Sequence, residues 1–100
     1  MSTHVLDAVL GAPAAGVAVT LRAEDGAVVA SARTDADGRV ATLTGDLEPG
    51  TYRLAFDIDA YRAGGFYPEV VIAFRVSDAT AHHHVPLLLS PFAYSTYRGS

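Results

Sequence analysis

Large apolar residues recur at every second position in three separate stretches of this chain, and this alternation limits its fold more than any other feature. The stretches are residues 16–24, 51–59 and 69–77. Successive side chains of a β-strand point to opposite faces, so a period of two predicts half-buried strands. The predicted core faces are Val17, Val19 and Leu21; Tyr52, Leu54, Phe56 and Ile58; and Val70, Ile72, Phe74 and Val76.

Turn-forming residues divide the chain into about eight short strands. The turns are predicted at Gly11–Pro13, Asp25-Gly26, Asp37-Gly38, Glu48–Gly50 and Ser77-Asp78. Further short strands are predicted within residues 4–9, 27–34, 39–43, 82–90 and 93–99. This pattern is typical of an antiparallel sandwich or barrel, and the length predicts a single domain, residues 1–100.

Two stretches depart from plain alternation. Residues 58–69 predict one short helix, with Asp59 as a possible N-cap and Gly64-Gly65 as its end. The Asp35–Gly38 segment resembles the start of a calcium loop, but Arg39 would occupy a ligand position. A hairpin turn with a positive φ at Gly38 is the better interpretation.

Composition excludes several partners. The net charge is −4 and the seven basic residues are scattered, which argues against nucleic acid. There is no cysteine for a disulfide, a thiolate nucleophile or a cysteine-based zinc site. No apolar run reaches the roughly 20 residues of a membrane span, and no signal peptide is visible, so we expect a cytoplasmic protein without a membrane partner. The 50% hydrophobic content favours an oligomer.

The ionisable residues, taken singly, predict little chemistry. On a strand His82 and His84 share a face and His83 points away. Two imidazoles with a third ligand such as His4 would suit a metal ion, but no accompanying motif supports this, and we predict neither a metal nor a cofactor. Arg39 alone is typical of a solvated strand start.

The two ends of the chain together resemble a known family. His4–Asp7, Gly11–Ala14, Val17–Leu21 and Thr34–Arg39 resemble the first half of transthyretin-related proteins. Residues 84–91, HVPLLLSP, and 94–100, YSTYRGS, resemble their 5-hydroxyisourate hydrolase branch in particular. The resemblance covers residues 3–100, and its C-terminal part is the more specific.

The resemblance implies an all-β, transthyretin-like β-sandwich of two four-stranded sheets with one short helix. It also implies a homotetramer, a dimer of dimers with sites at subunit interfaces, that acts on a small-molecule substrate. The implied reaction is hydrolysis of 5-hydroxyisourate to 2-oxo-4-hydroxy-4-carboxy-5-ureidoimidazoline. Residues that match the family motifs are expected to be catalytic at His4, Arg39 and His84, and to bind substrate at His4, Arg39, Tyr97 and Ser100.

We expect a metal-free general acid–base mechanism in which His4 and His84 converge on a water molecule. Which of the two is the base stays open at this point. A non-enzymatic sandwich module for binding or assembly and a carrier of the thyroid-hormone type are the alternatives. The thyroid-hormone carriers of this family lack the set of His4, Arg39, His84 and Tyr97 and the terminal Tyr-Arg-Gly-Ser motif, which disfavours that alternative.

Overall fold

Nine strands form two sheets around one core, and a computed structural model describes all of residues 1–100. The strands are β1 (Ser2–Asp7), β2 (Ala12–Pro13), β3 (Ala18–Arg22), β4 (Val28–Arg33), β5 (Arg39–Val40), β6 (Gly50–Asp57), β7 (Glu69–Val76), β8 (His84–Leu89) and β9 (Tyr94–Thr96). The helix α1 (Ile58–Tyr61) follows β6. The predicted all-β sandwich with one short helix is confirmed.

The first sheet has the order β2-β1-β8-β9, and β5 also pairs with β1; the second has the order β4-β3-β6-β7. All pairs are antiparallel except β1 with β8, which are parallel. The first sheet has five strands instead of four because two short strands share one edge of β1. β5 pairs with residues 3 and 4 of β1, and β2 pairs with residues 6 and 7.

The core contains the faces that the alternation predicts. Fully buried side chains come from the second sheet, as in Leu21, Leu54 and Phe56, and from the first, as in Leu87. Phe74 is the exception among the predicted core residues, because it is only partly buried. Its ring lies 6.0 Å from that of Tyr52.

The helix begins two residues earlier than predicted. Its N-cap is Asp57, whose Oδ1 accepts a hydrogen bond from the Ala60 N–H at 3.2 Å, whereas Asp59 lies in the first turn. The earlier start follows from Ile58, which is buried and continues the alternating face of β6 into the helix. The structure contains no helix with the length and hydropathy needed to cross a membrane.

Gly38 has the predicted positive φ, 73°, but its turn is not a hairpin. The turn connects β4 in the second sheet to β5 in the first. The Gly38 backbone packs on β1, where its carbonyl accepts a hydrogen bond from the Val5 N–H at 2.7 Å. A Cβ at Gly38 would lie 3.1 Å from the Ala14 nitrogen and closer still to the Val5 carbonyl, so this crossing requires glycine.

Candidate active site

Two hydrogen bonds join Ser2 of β1 to His84, the first residue of β8, and to His82 just before the strand. Parallel pairing places Ser2 opposite His84, so the two ends of the chain lie side by side. Ser2 Oγ lies 2.8 Å from His84 Nδ1 and 2.9 Å from His82 Nε2. The predicted common face of the two histidines is confirmed. His83 is buried, with its ring 6.4 Å from that of Phe74.

Antiparallel pairing of β5 with β1 places Arg39 opposite His4. The turn before it is held by Asp35, whose Oδ1 accepts hydrogen bonds from the N–H groups of Asp37 at 2.9 Å and Arg39 at 3.0 Å. A carboxylate that accepts from nearby backbone amides in this way stabilises a tight turn. The position of Arg39 is therefore set by its own turn as well as by the sheet.

His4 is half-buried and has a defined tautomer. Its Nε2 lies 2.9 Å from the carbonyl oxygen of Asp37. A carbonyl oxygen only accepts, so Nε2 carries the hydrogen, and Nδ1 has the free lone pair in the neutral ring. Alternation along β1 and pairing with its neighbours place Ser2, His4, Arg39 and His84 on one face of the first sheet.

A groove of about 260 Å³ lies on this face, lined by Ser2, Thr3, Arg39, Ala41, His84 and Ser100. Three of the predicted site residues, Arg39, His84 and Ser100, therefore meet at one cavity. Small-molecule sites usually enclose about 300–1,000 Å³. One chain thus provides a cavity slightly below that range.

Tyr97 lines a second groove of about 320 Å³ together with Phe74, Val85 and Arg98. His84 lines both grooves. The structure brings Tyr97 to His84 but not to Arg39 or Ser100. The Tyr97 side chain is 59% exposed, so little of the chain covers it.

Gly99 lies directly against the His84 ring. Its N–H donates a 2.9 Å hydrogen bond to the His84 carbonyl, and the two residues form an isolated antiparallel bridge. A Cβ at Gly99 would lie 3.1 Å from His84 Cγ and closer still to Cδ2. Glycine is thus required here for the ring to keep its position.

The pKa of His84 is lowered from 6.5. Burial is the largest cause, and the charges of Arg39, His4 and His82 add to it, while a hydrogen bond with the backbone of Ser2 opposes it. His84 is therefore neutral at pH 7. A neutral imidazole can accept a proton, so the environment of His84 suits a general base.

Sequence reasoning missed Ser2, Gly99 and the link to His82. The spacing of Ser2, two residues before His4, places it on the same strand face and was the available signal. Gly99 lies within the recognised terminal motif but had no assigned role. Among the acidic, histidine and cysteine side chains, no group of three or more is arranged to hold a metal ion.

Comparison with known proteins identifies relatives over the whole chain. A family model described as HIUase/Transthyretin matches residues 1–99. The chain is 49% identical to 5-hydroxyisourate hydrolase of Caulobacter vibrioides, covering 100% of this chain and 97% of that protein. It is 44% identical to the uric acid degradation bifunctional protein TTL of Arabidopsis thaliana, but spans only 37% of that protein's length.

Solved structures of similar proteins have the same fold as this chain. The structure of Klebsiella pneumoniae 5-hydroxyisourate hydrolase superposes with a TM-score of 0.91 at 39% identity, covering 99% of this chain and 97% of that one. Sea bream transthyretin in complex with thyroxine superposes with a TM-score of 0.89 at 32% identity, covering 98% and 92%. Similarity to both structures extends over nearly the whole of each chain.

Proposed function

The chain belongs to the HIUase/Transthyretin family, and we propose that it is an enzyme that hydrolyses 5-hydroxyisourate in the degradation of urate. The groove where Arg39, His84 and Ser100 meet carries this proposal. It combines a permanent cation, a neutral imidazole and a hydroxyl around one cavity. Full-length relatives named 5-hydroxyisourate hydrolase support the same reaction.

The reaction opens a ring at an amide-like C–N bond and yields 2-oxo-4-hydroxy-4-carboxy-5-ureidoimidazoline. It needs a base to activate water, positive charge or hydrogen-bond donors at the carbonyl oxygen, and an acid for the leaving nitrogen. In the groove, His84 can take the proton as the base and later return it as the acid, and Arg39 supplies the positive charge.

We assign the base to His84 and the orienting role to His4. His84 Nδ1 is joined to Ser2, so Nε2 is the nitrogen left for water, and the lowered pKa keeps the ring neutral. The Nε2–H group of His4 is already committed to the Asp37 carbonyl. This hydrogen bond fixes the His4 ring. A fixed ring is better suited to orienting water or substrate than to repeated proton transfer.

We assign Arg39 to the substrate and to the negative charge that develops on its carbonyl oxygen. The one ion pair of the structure joins Asp7 and Arg62, so the Arg39 guanidinium has no carboxylate partner within the chain. An unpaired guanidinium offers a planar set of donors for an oxygen-rich ligand. Ser100 lies in the same groove, and Tyr97 approaches from the other side of His84.

We further propose that four chains assemble as a dimer of dimers. Both sheets end in a strand with an open edge, β7 in one and β9 in the other. The outward-facing Val71 of β7 is 44% exposed, and Phe92 beside β9 is 77% exposed. Pairing of such edges buries apolar surface and removes open hydrogen-bonding groups. It would also add residues of a neighbouring chain to the grooves, which one chain lines only in part.

The decisive experiment is the decay of the ultraviolet absorbance of freshly prepared 5-hydroxyisourate. The purified protein should accelerate this decay, and His84→Ala and Arg39→Ala should each remove most of the acceleration while circular dichroism stays native. Equal decay with and without the wild-type protein would refute the proposed reaction. Activity should survive exhaustive chelation.

A thyroid-hormone carrier is the second candidate, favoured by the similarity to transthyretin crystallised with thyroxine. A bound ligand stabilises the folded state, by about 2.7 kcal/mol at a free concentration of 100 times Kd. Thyroxine should therefore raise the unfolding temperature if the protein is a carrier. We expect no such rise, and expect stabilisation by substrate analogues instead.

A further inference from the structure

Three polar groups lie in a row behind the proposed base. His84 Nδ1, Ser2 Oγ and His82 Nε2 are joined by contacts of 2.8 and 2.9 Å. Ser2 is buried, and its N–H donates to the His83 carbonyl at 2.9 Å, which fixes the residue between the two rings. The expected reaction uses His84 but leaves Ser2 and His82 without a role.

Counting hydrogens limits this row to two neutral arrangements. A hydroxyl has one hydrogen, so Ser2 donates to one ring and accepts from the other. If Ser2 donates to His82 Nε2, then His84 carries its hydrogen on Nδ1, and His84 Nε2 is free to act as a base. If Ser2 donates to His84 Nδ1, then His84 Nε2 carries the hydrogen and acts as a donor.

On the basis of the proposed function, we propose that Ser2 and His82 form a proton relay that switches His84 between base and acid during turnover. When water attacks, His84 Nε2 takes its proton. The Nδ1 proton passes to Ser2 Oγ, and the Ser2 proton passes to His82 Nε2, so the positive charge ends on His82. The reverse sequence lets His84 Nε2–H protonate the leaving nitrogen and restores the starting state.

The surroundings favour His82 as the place that holds the charge. His84 is half-buried and faces Arg39 and His4, whereas the His82 side chain is exposed to water. Hydration stabilises an imidazolium. The relay thus moves charge away from the cationic groove and towards solvent.

The test compares Ser2→Ala, Ser2→Thr and His82→Gln with the wild type. Ser2→Ala removes both hydrogen bonds, and Ser2→Thr keeps the hydroxyl. In His82→Gln the side-chain amide oxygen still accepts from Ser2 but cannot hold a proton. General acid–base catalysis contributes about 10²–10⁴-fold, so we expect kcat to fall by about tenfold to hundredfold in Ser2→Ala and His82→Gln. Ser31→Ala, an exposed serine on β4, is the matched control and should retain full activity.

Nitrogen-15 NMR of the histidine rings separates the relay from a purely structural role. In the wild type at alkaline pH, His84 should carry its hydrogen on Nδ1, and Ser2→Ala should shift this tautomer towards Nε2–H. His82→Gln should leave the tautomer of His84 unchanged while kcat falls. Wild-type kcat in Ser2→Ala or His82→Gln would overturn the relay, as would an unchanged tautomer in Ser2→Ala. An inactive wild type would instead refute the proposed function.

Discussion

Gly99 illustrates how one residue determines the position of a ring in the candidate active site. A Cβ at Gly99 would collide with the His84 ring and not with backbone, so Gly99→Ala should displace the ring and leave the fold intact. We expect kcat to fall by more than about tenfold, because misplaced catalytic groups lose large factors in rate. Stopped-flow substrate decay measures the loss, and thermal unfolding measures stability.

Gly65→Ala is the control for this substitution. Gly65 has no atom near its added Cβ and does not have the positive φ that favours glycine. It should therefore keep both activity and stability. A fully active Gly99→Ala variant would contradict the proposed packing against His84.

The lowered pKa of His84 predicts the pH dependence of activity. The base works when neutral, so kcat/KM should be at its maximum above the pKa and fall as the pH drops through it, with a midpoint below 6.5. Burial is the main cause, and the Arg39 charge is the next. Removing that charge in Arg39→Gln should therefore raise the pKa of His84 towards its usual value, so the acid limb of the residual activity should move to higher pH.

NMR titration of His84 in both proteins provides an independent measurement. The same shift affects folding: an unfolded chain binds this proton more readily, so stability is lost as the pH falls below 6.5. A wild-type midpoint at or above 6.5 would contradict the assignment of His84 as the base.

Strand faces are the part of the structure that the sequence predicts best. Alternation alone assigns Val19, Leu21, Leu54 and Phe56 to the core, because side-chain direction along a strand is a local property. The partner of a strand is not local. Nothing in residues 35–39 indicates that the turn crosses to the other sheet, since this depends on the packing of Gly38 against β1.

A buried carboxylate joins β1 to the helix. Asp7 is fully buried and accepts hydrogen bonds from the Tyr61 hydroxyl at 2.8 Å, from the Arg62 guanidinium, and from the backbone N–H groups of Val9 and Leu10. Burial alone would raise the pKa of Asp7, but these hydrogen bonds outweigh it and lower the pKa below 3.8. The stability they give is present above pH 3.8 and is lost as the pH falls through the lower folded value.

Asp7→Asn should therefore destabilise the protein at neutral pH. An amide cannot accept from all four donors, and unsatisfied buried groups cost about 1–3 kcal/mol. Arg62 is 40% exposed, so its ion pair contributes little to this loss. Urea unfolding measures the change, and the difference from wild type should shrink in acid. Asp59→Asn, the same substitution at an exposed helical position, should have little effect; equal losses in the two variants would contradict the role of Asp7.

At the scale of the whole molecule, the candidate site exists because β1 and β8, which are far apart in the sequence, are adjacent strands. Ser2 and His84 are 82 positions apart and meet only through the parallel pairing of β1 with β8. Residue types and local periodicity do not contain this register, so the chemistry of His84 cannot be derived from its own segment. The resemblance in both ends of the sequence predicts site residues at His4, Arg39, His84, Tyr97 and Ser100, whereas the roles proposed for Ser2 and His82 rest on the three-dimensional arrangement alone.

The open strand edges predict how the proposed tetramer can be taken apart. Val71 points outward from β7, an edge strand of the second sheet. An aromatic cluster lies beside β9, an edge strand of the first sheet. In this cluster the rings of Tyr67 and Tyr94 are 5.0 Å apart, and those of Phe66 and Phe92 are 6.3 Å apart. A charge at Val71 would be buried between subunits without a partner, which is costly. Val71→Asp should therefore yield smaller species.

Val28→Asp provides the matched control, because Val28 is a similarly exposed valine on β4, the opposite edge of the same sheet. Sedimentation should give about four chains per particle for the wild type and Val28→Asp, and fewer for Val71→Asp. The activity per chain of Val71→Asp should fall although its circular dichroism stays native, because in the proposed tetramer a neighbouring subunit completes the grooves and this variant would lose that subunit. A wild type that sediments as single chains with full activity would show that one chain completes the site by itself.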